Sequence, residues 1–255
     1  MNLSDTELER YARHIVLREI GGGGQLRLKA ARVLVIGAGG IGSPAIEYLA
    51  AAGIGTLFIV DDDRVELSNL QRQTLFATKD LGKRKVAAAK ARAHALNPHI
   101  EVYAVQDRVD LGNAEQVRDY DVVIDGTDNF ATRLAVADAC LRHRVPLVSA
   151  AVSEFEGQLG VFRGWEADKP CYRCFVGHDP ERPGISCAEQ GVLGALTGVM
   201  GSLAALETIR AIAPFGEDPA GKLLLVDALA FRFRTLTLPK DPGCPACREG
   251  QGTQP

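Results

Sequence analysis

Hydrophobic positions along this chain fall into short unbroken runs separated by longer amphipathic stretches. Arg32-Val-Leu-Val-Ile36, Thr56–Val60 and Val122-Val-Ile-Asp125 are apolar and largely β-branched at consecutive positions, the pattern of a strand buried on both faces. Glu101–Val105 and Pro146–Ala150 read as two more. Helical stretches lie between them, at Pro44–Ala52, Lys83–Leu96 and Asn129–Arg142. This alternation over residues 32–150 predicts a doubly wound parallel sheet. Beyond it, Gln158–Arg163, Lys222–Asp227 and Arg232–Leu238 read as β segments without crossover helices of the earlier kind, and so as an antiparallel extension of the same sheet. Residues 3–19 predict an amphipathic helical arm, Gly21–Gly24 a four-glycine break, and 25–31 a second short helix. Gln190–Leu206 is 17 residues without charge, interrupted by four glycines. It falls short of the roughly 20 a spanning helix needs, so a buried or interface helix is expected.

The chemistry starts at Gly37-Ala-Gly39-Gly40-Ile-Gly42, set between a strand and a helix. In that context Gly37 allows a tight turn, Gly39 a close backbone approach to phosphate, and Gly42 close helix–strand packing. The helix N-terminus then offers unpaired N–H groups to an anion. Asp61 follows at the end of the second strand, placed for ribose hydroxyls. The loop by itself indicates a Rossmann-like fold holding a nucleotide or dinucleotide, and an NAD(P)-dependent oxidoreductase satisfies it. The long polar segment Asp61–Gln73, with Asn69 and Arg72, and Gly82-Lys-Arg-Lys85 after it shift the balance. A dinucleotide needs no such cations beside its ribose carboxylate, whereas Arg72 and Lys85 suit a triphosphate whose pyrophosphate leaves. Asp125-Gly-Thr-Asp128-Asn129 lies just beyond a buried strand, where ligands of such sheets bind. Asp128 is a candidate Mg²⁺ ligand, Asn129 a helix N-cap, and Asp125 a residue that fixes the turn.

Composition narrows the partners. Twenty-nine Lys+Arg against 32 Asp+Glu give a net charge of −3, which argues against nucleic-acid binding driven by bulk charge. The N-terminus shows no secretory pattern, and a cytoplasmic protein with no membrane partner is expected. In that compartment six cysteines suggest metal ligands or reactive thiols rather than disulfides. Cys171-x-x-Cys174 and Cys244-x-x-Cys247 are paired knuckles that together complete a closed tetrahedral Cys₄ site, hence a structural zinc. Cys140 is expected in a helix core. Cys187 stands in a loop rich in Pro, Gly and charge, and two readings are open: a nucleophile, or an inert thiol.

Arg10-Tyr-x-Arg13, GAGGIGSP, SNLQRQ at 68–73, GKRK at 82–85, GTDN at 126–129 and the paired knuckles together resemble the HesA/MoeB/ThiF family. Its members are ubiquitin-activating-enzyme-like adenylyltransferases. The resemblance covers about 8–250 and implies one adenylation domain over 1–250: arm 1–31, nucleotide-binding half 32–150, carrier-binding and zinc half 151–250, with a frayed tail at 251–255. It implies MgATP-driven adenylylation of the C-terminal glycine of a small ubiquitin-like sulfur-carrier protein ending in Gly-Gly, ahead of thiocarboxylate formation in molybdopterin or thiamine biosynthesis. Gly40 and Asp61 would hold the nucleotide. Ser68, Asn69, Leu70, Gln71 and Arg72 would border the phosphates and Lys85 would contact them. Asp128, with Asn129, would bind the metal. Arg13 resembles a finger reaching into a partner subunit, so a homodimer is implied. Residues 178–190 resemble the crossover loop, in which Cys187 occupies the position of a covalent link to the carrier. The sulfur would come from a separate donor, a cysteine desulfurase or a rhodanese-like protein. A zinc-stabilised scaffold that binds such a carrier without turnover is the non-enzymatic alternative.

Overall fold

Strands that are apolar at every position need cover on two faces, and the chain supplies it from opposite sides. A computed structural model describes residues 2–177 and 191–248. Strands β1 (Arg32–Ile36), β2 (Thr56–Val60), β3 (Glu101–Val105), β4 (Val122–Asp125) and β5 (Leu147–Ser153) pair in parallel, and β6 (Glu156–Phe162), β7 (Lys222–Asp227) and β8 (Arg232–Thr237) extend the sheet antiparallel. The order is β3-β2-β1-β4-β5-β6-β7-β8. Within β1, Val33 and Val35 face one side and Leu34 and Ile36 the other. The first side packs on α4 (Gly42–Ala52), α5 (Lys85–Leu96) and α8 (Gly194–Ile212), through Ile46, Leu49, Ala89 and Met200. The second packs on α6 (Phe130–His143), through Val136, Ala139 and Cys140. Burying each large side chain removes apolar area worth about 1.5–3 kcal/mol, so the two-sided pattern selects a central sheet.

Helix α8 is long and apolar enough by length and composition to cross a membrane. Here it lies on the sheet and on α4, with Leu196, Met200, Ala204 and Ala205 in the core, as expected of the uncharged run. Both edge strands are open: β3 is exposed at four of its five residues and β8 at all six.

The N-terminal arm departs from expectation in two ways. It is not one helix but two, α1 (Asp5–Arg10) and α2 (Ala12–Ile15), meeting at Tyr11. A reciprocal Ser4–Glu7 capping box starts α1. The glycine run is not a break either, since α3 spans Gly21–Ala30. Each glycine costs a helix roughly 1 kcal/mol, and packing outweighs that: Gly24, Gln25 and Leu28 are buried, and Gln25 Nε2 donates to Ala52 O at 2.8 Å.

Between α6 and α8 lies α7 (Tyr172–Val176), and α9 (Pro245–Arg248) ends the described chain.

Candidate adenylylation site

The chain winds outward from β1 in both directions, so the carboxyl ends of β1 and β4 open a crevice. The glycine loop occupies it. Gly37 N–H donates to Val60 O at 2.8 Å and Gly126 N–H to Ile36 O at 3.1 Å, which brings the glycine and GTDN turns side by side. A Cβ on Gly42 would lie 1.9 Å from Gly37 O, so only glycine lets α4 begin this close to the loop. Asp61 is held there by the backbone, accepting from Ala38 N–H at 2.8 Å and Asp63 N–H at 2.9 Å. Burial pushes its carboxyl above the usual aspartate range, and the Lys85 charge opposes that rise.

An open cleft of about 870 Å³ gathers most of the expected residues: Gly37, Gly39, Gly40, Asp61, Asn69, Arg72, Lys85, Asp128 and Asn129 all line it. Lys85, first residue of α5, is 4% exposed and paired with Asp63 Oδ2 at 2.7 Å. Arg72 Nη1 donates to Ser68 O at 3.0 Å. Asn69 is buried, and its Oδ1 accepts from Glu66 N–H at 3.3 Å. Asp128 is exposed and makes no hydrogen bond or ion pair among the described residues. Asn129 caps α6, accepting from Thr132 N–H at 3.2 Å. Asp125 is fully buried and fixes the turn through Thr127 N–H at 3.0 Å and Thr127 Oγ1 at 2.7 Å.

Gly42 packs α4 on the loop without lining the cleft, and three residues of the 68–73 segment also stay out of it. Ser68 is exposed and reaches only Glu66, Leu70 packs against the core, and Gln71 is exposed with its carbonyl against the start of α8. The short 3₁₀ turn Leu67–Asn69 and the turn after it, in which Arg72 N–H donates to Asn69 O at 3.0 Å, leave Asn69 and Arg72 at the cleft and the other three away from it. Gln73 was not anticipated. It is 3% exposed and lines the cleft, and its Oε1 has no hydrogen-bond partner among the described residues. That atom is available to a ligand or a water. Arg133 was missed too. It lines the cleft, donates to Ala150 O at 2.9 Å and to Thr127 O, and sits 3.9 Å from Asp125.

The cleft continues over the antiparallel half, bordered by Glu156, Gln158, Arg232 and Arg234. The alternation Arg232-Phe-Arg234 was the available signal, since period two puts both arginines on one face.

The four knuckle cysteines converge. Their sulfurs lie within 4.8 Å of one another, with Cys171–Cys174 at 3.7 Å and Cys171–Cys244 and Cys174–Cys247 at 3.6 Å. A tetrahedral ion with Zn–S bonds of ~2.3 Å has S–S edges of ~3.8 Å, so the set fits a tetrathiolate metal. Hydrogen bonding from Cys171 lowers the Cys174 thiol, whereas burial first and Cys174 second raise Cys247. Cys140 is 2% exposed, and burial pushes its thiol far up, as befits a core residue. Cys187, with the rest of 178–190, lies outside the described residues.

Arg13 is exposed and does not line its own chain's cleft. Its neighbour Tyr11 is the anchor of the arm: 3% exposed, its hydroxyl accepts from Asn97 Nδ2 at 2.7 Å, and its ring fills space over Gly53 that a Cβ would enter to within 2.5 Å.

The ThiF family profile matches residues 11–246. The chain belongs to the ThiF family. It is 46% identical over 253 residues to the SAMP-activating enzyme E1 of Haloferax volcanii, covering 98% of this chain and 92% of that one. To the sulfur carrier protein adenylyltransferase of Thermus thermophilus it is 45% identical, covering 97% and 93%. To the molybdopterin-synthase adenylyltransferase of Escherichia coli it is 42% identical, covering 96% and 98%. Among solved structures, E. coli MccB with ATP superposes with a TM-score of 0.81 at 25% identity, covering 96% of this chain and 75% of that one. These likenesses fit the chemistry of the cleft. Loop amides, two cations and a carboxylate with hard oxygen donors suit a polyphosphate, and this ThiF-family chain is an ATP-using adenylyltransferase.

Proposed function

We propose that the enzyme adenylylates the C-terminal glycine of a small ubiquitin-like sulfur-carrier protein ending in Gly-Gly and so prepares it for thiocarboxylate formation. The observation that carries the reading is one continuous cleft, with nucleotide chemistry at the β1/β4 end and an open, arginine-bordered floor over β6–β8. A carrier's tail lies along that floor and brings its carboxylate to the α-phosphate. The new bond joins a carboxylate oxygen to the α-phosphorus, and the bond that breaks frees pyrophosphate. Little acid–base work is required, so the protein's task is placement and charge neutralisation.

Asp61 takes the ribose, and the amides of Gly39 and Gly40 meet phosphate. Lys85 and Arg72 trade Asp63 and the Ser68 carbonyl for phosphate oxygens as pyrophosphate separates. The exposed Asp128 carboxylate would hold Mg²⁺, which supplies neutralisation of the phosphate charge. Arg13 acts across a homodimer, which accounts for an arginine presented to solvent by a rigidly anchored arm. The cysteine cluster holds a structural zinc, and residues 1–250 work as one adenylation domain. The acyl-adenylate then receives sulfur from a separate donor, a cysteine desulfurase or rhodanese-like protein, in the cytoplasm. The pathway served is that of molybdopterin or thiamine. Cys187, at the position of the family's covalent link, would act only in that later step.

The test is ATP–pyrophosphate exchange with and without a Gly-Gly-ended carrier. Carrier-dependent exchange is expected. Nicotinamide-cofactor turnover without Mg²⁺ would replace the reading with an oxidoreductase, and carrier binding without exchange would leave a scaffold.

A further inference from the structure

Helix α7 has five residues, far too few to be stable alone, so its position is set by what grips it. Cys171, its N-cap, and Cys174 belong to the four-cysteine cluster. Tyr172 packs edge-on against Phe162 with centroids 5.2 Å apart, and Tyr172 and Val176 line the adenylylation cleft. Arg173 points the other way. Its Nε and Nη2 each donate to a different Asp138 carboxylate oxygen at 2.7 Å. Both partners are about four-fifths buried, at 19% and 21% side-chain exposure. Such a two-pronged pair fixes orientation as well as distance.

Asp138 sits on α6, whose two ends meet different parts of the molecule. Its C-terminal half rests on the cysteine cluster through Leu141. At its N-terminal end Asn129, next to Asp128, caps the helix by accepting from Thr132 N–H, and Arg133 ties the carbonyl of Thr127 in the Asp128 loop to that of Ala150 on β5. A helix transmits displacement along its axis as a rigid rod over the ~14 Å between Asn129 and Asp138.

We propose that Arg173 is a positioning residue for the adenylylation site: gripping Asp138, it ties α6 to the cysteine cluster and so holds the Asp128 loop and the Tyr172 wall in register. The cluster is then more than a clamp on the C-terminal segment. The catalytic half of this claim rests on the proposed adenylylation. The mechanical half does not.

The decisive variants are Asp138→Ala and the more conservative Asp138→Asn, at a residue that is neither a member of the cysteine cluster nor part of the cleft lining, together with Arg173→Glu and the swapped pair Arg173→Glu/Asp138→Arg. Three quantities are read on the purified full chain: zinc content, hydrogen–deuterium exchange of residues 126–133, and the Mg²⁺ concentration that half-saturates pyrophosphate exchange. Supporting residues of this kind typically change metal affinity by about 10–100-fold. The Asp138 variants should keep their zinc, lose protection at 126–133, and need about tenfold more Mg²⁺. The swapped pair should recover both. Unchanged protection and Mg²⁺ requirement with zinc retained would overturn the proposal, as would a swapped pair that keeps zinc and recovers neither. Should Asp138→Ala shed zinc, Asp138→Asn decides by the same criteria. If the wild type shows no carrier-dependent exchange, the adenylylation reading falls, while protection at 126–133 still decides the coupling.

Discussion

The two halves of the sheet solve opposite problems. In β1, β2, β4 and β5 most positions are buried, with only the edge strand β3 open, and the cleft there is lined by the glycine and GTDN turns and by Asp61, Asn69, Arg72 and Lys85 from the segments beyond the strand ends. In β6–β8 burial fades toward the edge until β8 is exposed along its whole length, and the cleft is bordered by side chains standing on the strands themselves. The first arrangement suits a small charged ligand whose phosphates need close, preset amides. The second suits a macromolecular tail that must lie across an accessible floor. A rigid nucleotide end and an open protein-facing end can thus share one cleft without either compromising the other.

The sharpest way to break that division is Asp128→Ala. Losing a group that stabilises developing charge costs about 10²–10³ in rate, and because Asp128 is exposed, stability should move by no more than ~0.5 kcal/mol. Pyrophosphate exchange and a thermal melt check both, and retained exchange would remove Asp128 from the mechanism. Next is Arg13→Ala. If Arg13 serves the partner's site, inactive Arg13→Ala and inactive Asp128→Ala chains mixed equally should recover about a quarter of wild-type activity, since half the dimers are mixed and hold one whole site. No recovery on mixing would confine Arg13 to its own chain.

At the other end, Arg232→Ala and Arg234→Ala should each raise the KM for the carrier several-fold while leaving that for ATP unchanged, as expected of charges that steer a partner. A matching rise for ATP would erase the distinction between the two ends.

The smallest effect is a pH dependence. Burial raises the Asp61 pKa, and the proposed ribose contact would use the ionised form. Nucleotide affinity should therefore hold at neutral pH and weaken on acidification at a pH above the ordinary aspartate range, whereas Asp61→Asn should bind weakly with no such limb. The sign for folding is the reverse. A raised folded-state pKa favours the folded chain below the unfolded value, a contribution lost as pH rises through the folded value. Asp61→Asn should therefore not destabilise the protein at neutral pH. Titration calorimetry and melts across pH separate the two.

How much of this could be read along the chain differs between the halves for a physical reason. β1, β2 and β4 announce themselves because two-faced burial demands unbroken apolar runs. Gly37, Gly42 and Asp61 do so because each answers a local backbone constraint. Ser68, Leu70 and Gln71 entered with Asn69 and Arg72 as parts of the SNLQRQ string that resembles the family, and which of its residues line the cleft depends on two successive turns whose phase is set by packing. The glycines of α3 misled in the same way, since local propensity favoured a break and burial of Gln25 and Leu28 overrode it.

By itself the sequence determined the doubly wound order, the nucleotide loop and the four-cysteine set, because each depends on residue types at short, fixed spacing. Only the tertiary structure decided that Gln73 and Arg133 belong to the cleft, that Tyr11 anchors the arm, and that Arg173 and Asp138, 35 residues apart, lock the cysteine cluster to the helix beside Asp128. Those contacts join elements distant in the chain, and no local pattern records which distant side chain will complete a hydrogen bond.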